Sequence, residues 1–405
     1  MGKRQQNKIE KVYTYMKIES SVWPIATLED VAEICDNQRK PVNGKERAKR
    51  LEGKKREELY PYYGATGQVG YIDEYIIDGE YVLLGEDGAP FLDALAKKAY
   101  LISGRSWVNN HAHILRAKIN SRFLCYYLNV FSYKDFVSGT TRLKLTQAAM
   151  KKIPVPCPSP EEQKNIVKRI KELFSKLDKS VETLKVTKVQ LTVYRQAVLK
   201  EAFEEIEEKR PIRELALLVT SGSRGWAKYY SDHGARFIRI TDLTRDRICL
   251  KNDNIQYVDL PYTAEGKRSL LMKNDVLVSI TADLGSIALV PNSVGEAYIN
   301  QHIAMIRFKN TNQGTYMAWY LKSEWGQKDL LRNKRGGGKL GLGLDDIRDT
   351  AVPVVSDVVA MNTVARIESR LSVCDRIEQT VDTALQQAEA MRRSILKQAF
   401  EGRLL

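Results

Sequence analysis

One stretch of about 45 residues constrains the fold of this chain more than any other. After Pro160 it contains neither proline nor glycine up to Glu204, and an apolar residue recurs at every seventh position. The positions on this spacing are Ile170, Leu177, Leu184, Leu191 and Val198. Such a pattern predicts a long helix whose apolar seam packs against a partner helix.

The predicted partner helix lies in the same chain. Residues 155–204 align without a gap on residues 352–401, a constant shift of 197, and about a third of the aligned positions are identical. The "YRQAVLKEAFE" that starts at Tyr194 returns as "MRRSILKQAFE" at Met391. The second seam consists of Ile367, Cys374, Val381, Ala388 and Ile395. The chain is therefore a tandem repeat of one unit.

The segments that precede the two helices also repeat. "YVLLG" is matched by "DVLVS" near Val276, and "VNNHAHILR" from Val108 is matched by "INQHIAMIR" from Ile299. The order is the same although the intervals differ, which is typical of one scaffold carrying different loops. We therefore predict an α+β protein in which two similar small α/β domains are joined by two long helices, paired as an antiparallel coiled coil with pseudo-twofold symmetry.

The predicted boundaries follow proline-rich segments and changes in pattern. In order they are an N-terminal segment 1–21, a first domain 22–158, a first helix 159–209, a second domain 210–355 and a second helix 356–405. "IPVPCPSP" closes the first domain because repeated prolines stop helices and stiffen a connection. Near the start of that domain, "WPIATLEDVAEIC" has a helical apolar period and predicts a short helix.

Composition indicates a cytoplasmic protein whose cysteine thiols are reduced. The N-terminus is basic but has no apolar core of the kind found in a signal peptide, and no apolar run approaches the length of a membrane span. The five cysteines, Cys35, Cys125, Cys157, Cys249 and Cys374, include no CxxC pair. This scatter favours free thiols over a disulfide framework or a zinc site.

The chain carries a formal net charge of +14. The two long helices are near neutral, so most of the excess lies in the N-terminal segment and the two globular domains. Residues 38–58 alone hold nine basic and four acidic side chains. This distribution suits a polyanionic partner such as DNA, although a solvated helix or a flexible insert would look the same in sequence.

Motifs for catalysis are missing from the sequence. It contains no NPPF- or DPPY-like segment for adenine methylation, and "RGGGKLG" has Leu340 where a phosphate-binding loop needs a hydroxyl. The four histidines, His111, His113, His233 and His302, have no carboxylate or cysteine partner at ligand spacing. We expect His111 and His302 to be equivalent, hydrogen-bonded strand residues, and we expect no catalytic residue, metal or cofactor on this chain.

The order of these parts resembles the specificity subunit of type I restriction-modification systems, over nearly the whole chain. The resemblance depends on several segments taken together. They are "YYGATGQVGYID" with "VLLGEDGA", "IPVPCPSPEEQKNIVKRI", "FIRITDL", "INQHIAMIRF" and the duplicated "LKEAFE" and "LKQAFEGRL" helix ends. One departure is that the second helix lacks the Glu-Gln pair found at Glu162 and Gln163.

This resemblance implies a non-catalytic protein that recognises double-stranded DNA. In that family each globular domain recognises one half of a split target, and the paired helices set the spacer between the halves. A helix of about 45 residues is roughly 65 to 70 Å long, against about 34 to 36 Å between neighbouring half-sites on one face of DNA. The implied partners are two methyltransferase subunits and motor-nuclease subunits, which would carry S-adenosylmethionine, ATP and Mg.

Candidate DNA contacts are residues suited to phosphate or base binding. Two glycine-containing basic turns occupy equivalent places, and glycine lets a backbone approach a phosphate that Arg or Lys neutralises. Their candidate residues are Thr140, Thr141, Arg142 and Lys144 in the first turn, and Arg332, Lys334, Arg335 and Lys339 in the second. Candidates for base recognition are Gln68, Arg224, Trp226 and Arg239. The alternatives are solvated loops, a core tryptophan at Trp226 and a structural role for Arg239.

Two other classes of function stay open at this point. The first is an enzyme with an unfamiliar motif, which predicts methyl transfer or cleavage by the purified chain alone. The second is a basic coiled-coil connector that binds DNA or other partners without sequence preference. A connector would bind with an affinity that varies with salt but not with sequence, whereas a specific protein should discriminate by about 10³-fold or more.

Overall fold

A computed structural model describes residues 22–94, 96–260, 268–332 and 341–404. The chain divides into two compact units, one made of residues 1–184 and 382–405 and the other of residues 185–381. Each unit therefore combines one globular part with a portion of both long helices. This division differs from the sequence-based one, which gave each helix a segment of its own.

The first unit contains eleven strands and parts of the two long helices among its described residues. Its strands are β1 Ile25–Thr27, β2 Ala32–Ile34, β3 Tyr60–Gly64, β4 Gly67–Ile72, β5 Tyr81–Gly85, β6 Ala99–Ile102, β7 Trp107–Val108, β8 Ala112–Ala117, β9 Val137–Ser138, β10 Lys144–Leu145 and β11 Pro154–Pro156. Its helices are α1 Leu28–Val31, α2 Gly44–Leu51, α3 Ser121–Val130, α4 Gln147–Lys151 and the beginning of α5 Pro160–Ala202.

The second unit has ten strands in its described part. They are β12 Lys209–Pro211, β13 Ala216–Ser221, β14 Tyr230–Ser231, β15 Ala235–Ile238, β16 Tyr257–Val258, β17 Val276–Ser279, β18 Ile287–Leu289, β19 Ala297–Ile299, β20 Ile303–Phe308 and β21 Ala351–Pro353. Its helices are α6 Ile212–Leu215, α7 Gly314–Lys322, α8 Glu324–Leu330, α9 Leu344–Arg348 and the beginning of α10 Asp357–Phe400.

Strand order repeats between the units. The main sheet of the first unit runs β2-β8-β5-β6, and that of the second runs β13-β20-β17-β18, with antiparallel pairing throughout both. A smaller sheet in each unit contains one parallel pair, β3 with β7 and β15 with β19. A two-stranded ribbon, β1 with β11 or β12 with β21, lies where the chain enters and leaves each globular part. The sequence repeat is thus a repeat of topology.

The short helix predicted over "WPIATLEDVAEIC" is wrong for most of its length. Only Leu28–Val31 is helical, a single turn that begins where the Asp30 carboxylate accepts the backbone N–H of Thr27. The residues on either side are strands, because β1 pairs with β11 and β2 pairs with β8. Pairing with strands distant in sequence overrides the local helical period.

Each globular core encloses the end of one long helix. In the first unit the Phe400 ring lies 5.1 Å from Phe123 and 5.3 Å from Tyr127 of α3, centroid to centroid. In the second unit Phe203 lies 5.4 Å from Tyr316 and 5.5 Å from Tyr320 of α7. Phe203 and Phe400 are equivalent in the 197-residue repeat, so the same aromatic contact closes both cores.

The helix segments of each unit pack in antiparallel fashion. In the first unit Arg392 of α10 binds Asp178 of α5, and in the second unit Arg195 of α5 binds Asp375 of α10. Most of the predicted seam is buried. The buried members are Ile170, Leu191, Val198, Ile367, Cys374, Val381, Ala388 and Ile395, whereas Leu177 and Leu184 are half-buried. In the described parts of the chain every helix is too short or too polar to cross a bilayer.

Candidate nucleic-acid interface

Two equivalent turns precede the central strands β8 and β20. The side-chain oxygen of Asn109 accepts the backbone N–H of His111 at 2.8 Å, and that of Asn300 accepts the N–H of His302 at 3.1 Å. His111 and His302 therefore lie in turns, so their prediction as strand residues was wrong. The strand begins one residue later in each unit, and the Asn–His contact fixes the turn that leads into it.

The first glycine-containing basic turn is a β-hairpin formed by β9 and β10. Gly139 has φ 101°, and a Cβ there would clash with the backbone oxygen of Arg142, so this position requires glycine. Thr140, Thr141, Arg142 and Lys144 are all exposed. However, Arg142 Nε lies 2.6 Å from Asp87 Oδ1, and Lys144 Nζ lies 3.4 Å from Glu86 Oε1. Both side chains are accessible to a phosphate, but the neighbouring carboxylates of Asp87 and Glu86 partly neutralise their charge.

The second basic turn lies mostly outside the described residues. Lys334, Arg335 and Lys339 belong to residues 333–340, which the structure does not describe. Arg332, which precedes them, is 73% exposed and lies 3.8 Å from Asp329, a contact too long for a strong ion pair. The backbone of Gly341 bridges to Thr281, as Lys144 bridges to Asp87 in the first unit. The two turns therefore leave the fold at equivalent places.

The candidates for base recognition occupy different surroundings. Gln68 is exposed on the β3–β4 hairpin, where its Nε2 donates to the Gly70 carbonyl at 3.1 Å. Arg224 is exposed and makes no ion pair with any described residue. Trp226 is only 5% exposed and stacks on Phe237 with centroids 5.5 Å apart. Its prediction as a DNA contact is corrected: the indole belongs to the core and offers no face to a base.

Arg239 is used by the protein itself. Its backbone N–H donates to Asp242 Oδ2 at 2.8 Å, and its guanidinium donates to the Asn254 carbonyl at 2.9 Å. The Lys251 Nζ donates to the Thr241 carbonyl at 2.9 Å and closes the same loop. These contacts fit the structural role that was the alternative for Arg239, since they stabilise the loop that follows β15.

The first unit contains a largely buried charge network whose residues were not predicted from the sequence. His113 is fully buried, with Nδ1 2.6 Å from Asp36 Oδ2 and Nε2 2.9 Å from the Leu145 carbonyl. Since that carbonyl only accepts, Nε2 carries a proton and donates it. The Asp36 Oδ1 also accepts the N–H of Ile114, and Gln147 donates to Oδ2. His113 therefore connects the strand β8 to the hairpin that carries Arg142 and Lys144.

Asp36 stays ionised in this network. Burial alone would raise the pKa of its carboxyl, but the hydrogen bond and charge of His113, with the Ile114 N–H and Gln147, outweigh burial and lower the pKa below its ordinary value of 3.8. Asp36, Glu86 and His113 each place one ligand-type atom within 4.8 Å of the others. The Arg39 guanidinium contacts both carboxylates, so it already supplies the positive charge that a metal ion would bring.

Little in the sequence distinguishes His113 from His111. The two alternate along the chain, and only the start of β8 decides which of them is turned inward. Asp36 and Glu86 are distant from both in sequence, so ligand spacing could not reveal the cluster. A better signal existed for the helix contacts: Asp178 with Asp375, and Arg195 with Arg392, are identical pairs in the repeat, and the structure joins them across the helices.

Comparison with known proteins places these observations in a family. A sequence model described as the type I restriction modification DNA specificity domain matches residues 21–187 and again residues 228–386. A Haemophilus influenzae protein predicted to be a type I restriction enzyme specificity subunit is 35% identical over 163 residues, 40% of either chain. The EcoBI specificity subunit of Escherichia coli is 24% identical over 324 residues, which cover 71% of this chain and 66% of that protein.

A solved structure has the same fold. It comes from a study of complex assembly and conformational transition of the type I R-M system, and it superposes with a TM-score of 0.69 at 15% identity. The superposition covers 96% of this chain and 100% of that one. Together with the repeated strand order, these matches confirm the predicted α+β architecture of two similar domains and two long helices.

Proposed function

Because this chain belongs to the family of type I restriction-modification DNA specificity proteins, we propose that it is the DNA-recognition subunit of such a complex. Each globular unit recognises one half of a bipartite duplex target. The paired helices set the spacer between the halves and dock methyltransferase subunits. The alternative, a basic connector without sequence preference, explains the charge but not the duplication of an entire globular fold.

The observation that carries this proposal is the repeated topology with different loops. The main sheet, the parallel strand pair and the Asn–His turn recur in both units. The basic turns leave both scaffolds at equivalent places, but "GTTRLK" in one unit is replaced by "RNKRGGGK" in the other. Two similar scaffolds with dissimilar exposed loops suit the recognition of two different half-sites.

We place the chemistry on partner subunits. In the described titratable cluster Asp36 and His113 are buried, Glu86 is half-buried, and both carboxylates are already paired with Arg39. The chain itself is therefore proposed to be non-catalytic and without a cofactor. S-adenosylmethionine would belong to two methyltransferase subunits, and ATP and Mg to motor-nuclease subunits, in a cytoplasmic complex.

The long helices offer a surface for such partners. In the second unit Val186, Val189 and Val193 of α5 follow the spacing of one helix face and are 45%, 66% and 65% exposed. Apolar side chains in this arrangement, beyond those that form the seam, favour a third helix packing alongside. This surface supports the docking of a methyltransferase subunit on the helices.

A binding experiment tests the proposal. The full chain, purified with the methyltransferase encoded beside it, is titrated with its target duplex and with a shuffled duplex at physiological salt. We expect discrimination of about 10³-fold or more. Equal affinity for both duplexes would contradict the proposal and favour the connector. Methyl transfer by the chain alone would instead favour the hypothesis that the chain is itself an enzyme.

A further inference from the structure

The helix α2 is an addition to the first unit that has no counterpart in the second. It lies between β2 and β3, and the equivalent interval of the second unit is the described stretch 222–234. That stretch contains the strand β14 and a single 3-10 turn at Trp226–Tyr229 but no α-helix. Since the two scaffolds otherwise agree in strand order, α2 is not required by the fold.

The helix is held by arginines on aromatic rings. The Arg47 guanidinium lies 4.9 Å from the Tyr62 ring centroid, and that of Arg50 lies 4.9 Å from the Trp107 ring. Arg50 also bonds Asp73 at 2.6 Å and Glu74 at 2.8 Å. At the N-terminus the Asn43 side chain accepts the N–H of Glu46 at 2.9 Å. These contacts fix the orientation of a helix that buries no residue completely.

The opposite face of α2 points to solvent. At 100° per residue, Lys45, Ala48 and Lys49 lie on one side of the helix, and Arg47 and Arg50 lie on the other. All three outward residues are exposed. The two lysines are one turn apart, and Ala48 lies beside Lys49 on the same side, so a partner is able to approach the helix backbone closely at this small residue.

The lysines around α2 are free of acidic partners. No described carboxylate pairs with the exposed lysines of this region, which are Lys40, Lys45, Lys49, Lys54 and Lys55. By contrast, Arg142 and Lys144 of the basic hairpin are paired with Asp87 and Glu86. An unpaired lysine gives up no ion pair when it binds a phosphate, so this region attracts a polyanion more strongly than the hairpin does.

The helix also adjoins the hairpin that carries Gln68. A Cβ added at Gly70 of β4 would lie 3.4 Å from Arg47 Nη1, so the anchored side of α2 rests on β4. Gln68 is exposed two residues before Gly70. The major groove of duplex DNA admits one α-helix, and a glutamine amide is suited to adenine there.

We propose that α2 enters the major groove of one half-site, with Lys45 and Lys49 on the phosphates and Ala48 at the closest approach to the bases. This inference rests on the proposed function, and it names the element by which the first unit recognises its half of the target. The second unit lacks α2, so it contacts its half-site by other loops.

The first test measures how binding varies with salt. Each phosphate contact contributes about 0.9 to the slope of log K against log salt, so Lys45→Ala with Lys49→Ala should lower that slope by about 1.8. The matched control, Lys97→Ala with Lys134→Ala, removes two exposed positive charges from segments of the same unit outside its helices and strands and should leave the slope unchanged. An unchanged slope for the α2 variant, or an equal fall in the control, would overturn the proposal.

The second test distinguishes insertion of α2 into the groove from contact with the phosphate backbone alone. Ala48→Trp, at an exposed helix position, should leave thermal unfolding unchanged but should lower discrimination of the first half-site about tenfold or more, while the second half-site keeps its discrimination. The probes are duplexes with either half shuffled, bound by the chain with its methyltransferase. Undiminished first-half discrimination in Ala48→Trp would contradict insertion into the groove. If wild type discriminates neither half, the proposed function fails, whereas the salt slope still reports whether α2 contacts DNA.

Discussion

The two units use the same contact between the long helices in different surroundings. In the first unit Arg392 and Asp178 are 26% and 60% exposed, and Arg392 also lies 5.0 Å from the Phe174 ring. In the second unit the equivalent Arg195 is 8% exposed and bonds Asp375 at 2.6 Å and Glu378 at 2.9 Å. A half-buried arginine with an exposed carboxylate in one unit thus corresponds to a buried arginine with two partly exposed carboxylates in the other.

One substitution between the repeats and one added contact account for this difference. Glu378 corresponds to Val181 in the 197-residue shift, so the first unit lacks this carboxylate, and the second carboxylate near Arg392 is the more distant Glu389 at 3.9 Å. In the second unit Arg247 reaches from the globular part to within 3.3 Å of both Asp375 and Glu378. The repeat therefore preserves where the helices touch, but local side chains decide how much each contact stabilises. Exposed pairs contribute little, whereas removal of one partner from a buried network is costly.

The starts of the two long helices show the same divergence. Gln163 at the start of α5 is buried; it donates to the Pro158 carbonyl and accepts the N–H of Asn120. The second helix lacks this residue, and there Gln313 of the globular part donates instead to Asp357 at the helix start. A glutamine side chain links the long helix to the globular part in both units. It belongs to the helix in the first unit and to the globular part in the second.

The largest effects should come from the contact that both units share. Phe400→Ala and Phe203→Ala each remove a buried ring that packs on two aromatic residues, and each should lower the free energy of unfolding by about 3 to 5 kcal/mol. Urea denaturation of the full chain, followed separately by probes in each unit, measures these losses. A loss below about 1 kcal/mol at one site would show that the two aromatic contacts are not energetically equivalent.

Loss of the ion pair between the long helices should destabilise the second unit more than the first. Arg195→Met leaves two carboxylates without their buried partner, and we expect it to cost about 2 kcal/mol, less than a fully buried network because Asp375 is partly exposed. Arg392→Met removes an exposed pair and should cost less than about 1 kcal/mol. The same denaturation measurement compares the two variants. Equal losses would mean that burial does not distinguish these contacts.

A smaller effect, dependent on pH, should be confined to the first unit. The pKa of Asp36 is lowered in the fold, so its stabilisation is present above its ordinary pKa of 3.8 and is lost as pH falls through the lower folded value. Asp36→Asn should therefore cost about 1 to 2 kcal/mol at pH 7 and progressively less below about pH 4.

The second unit provides the control for this pH dependence. Its equivalent of His113 is the buried Ala304, which has no charge to pair. Unfolding of that unit should therefore respond to Asp36→Asn at neither pH. A difference between wild type and Asp36→Asn that grew on acidification would contradict the assignment of an ionised Asp36.

The sequence was most informative where periodicity and repetition agree. The seven-residue spacing predicted the helices, and the 197-residue shift predicted that both units share one fold, because such patterns depend on many positions at once. Individual side chains were less predictable. Whether Trp226 faces the core, or which histidine of "HAH" is buried, depends on strands that meet only in the folded protein. The helix α2 was left undecided because its anchoring arginines pack on rings that are distant in sequence.

The most direct test of the central claim maps N6-methyladenine across the genome of a methylation-free bacterium. The strain expresses this chain with the methyltransferase encoded beside it, and control strains express each protein alone. We predict one split motif that appears only in the co-expressing strain, and a shorter spacer between unchanged half-sites when one heptad is deleted from each helix. Methylation by the methyltransferase alone, or no motif despite a formed complex, would contradict recognition of DNA by this chain.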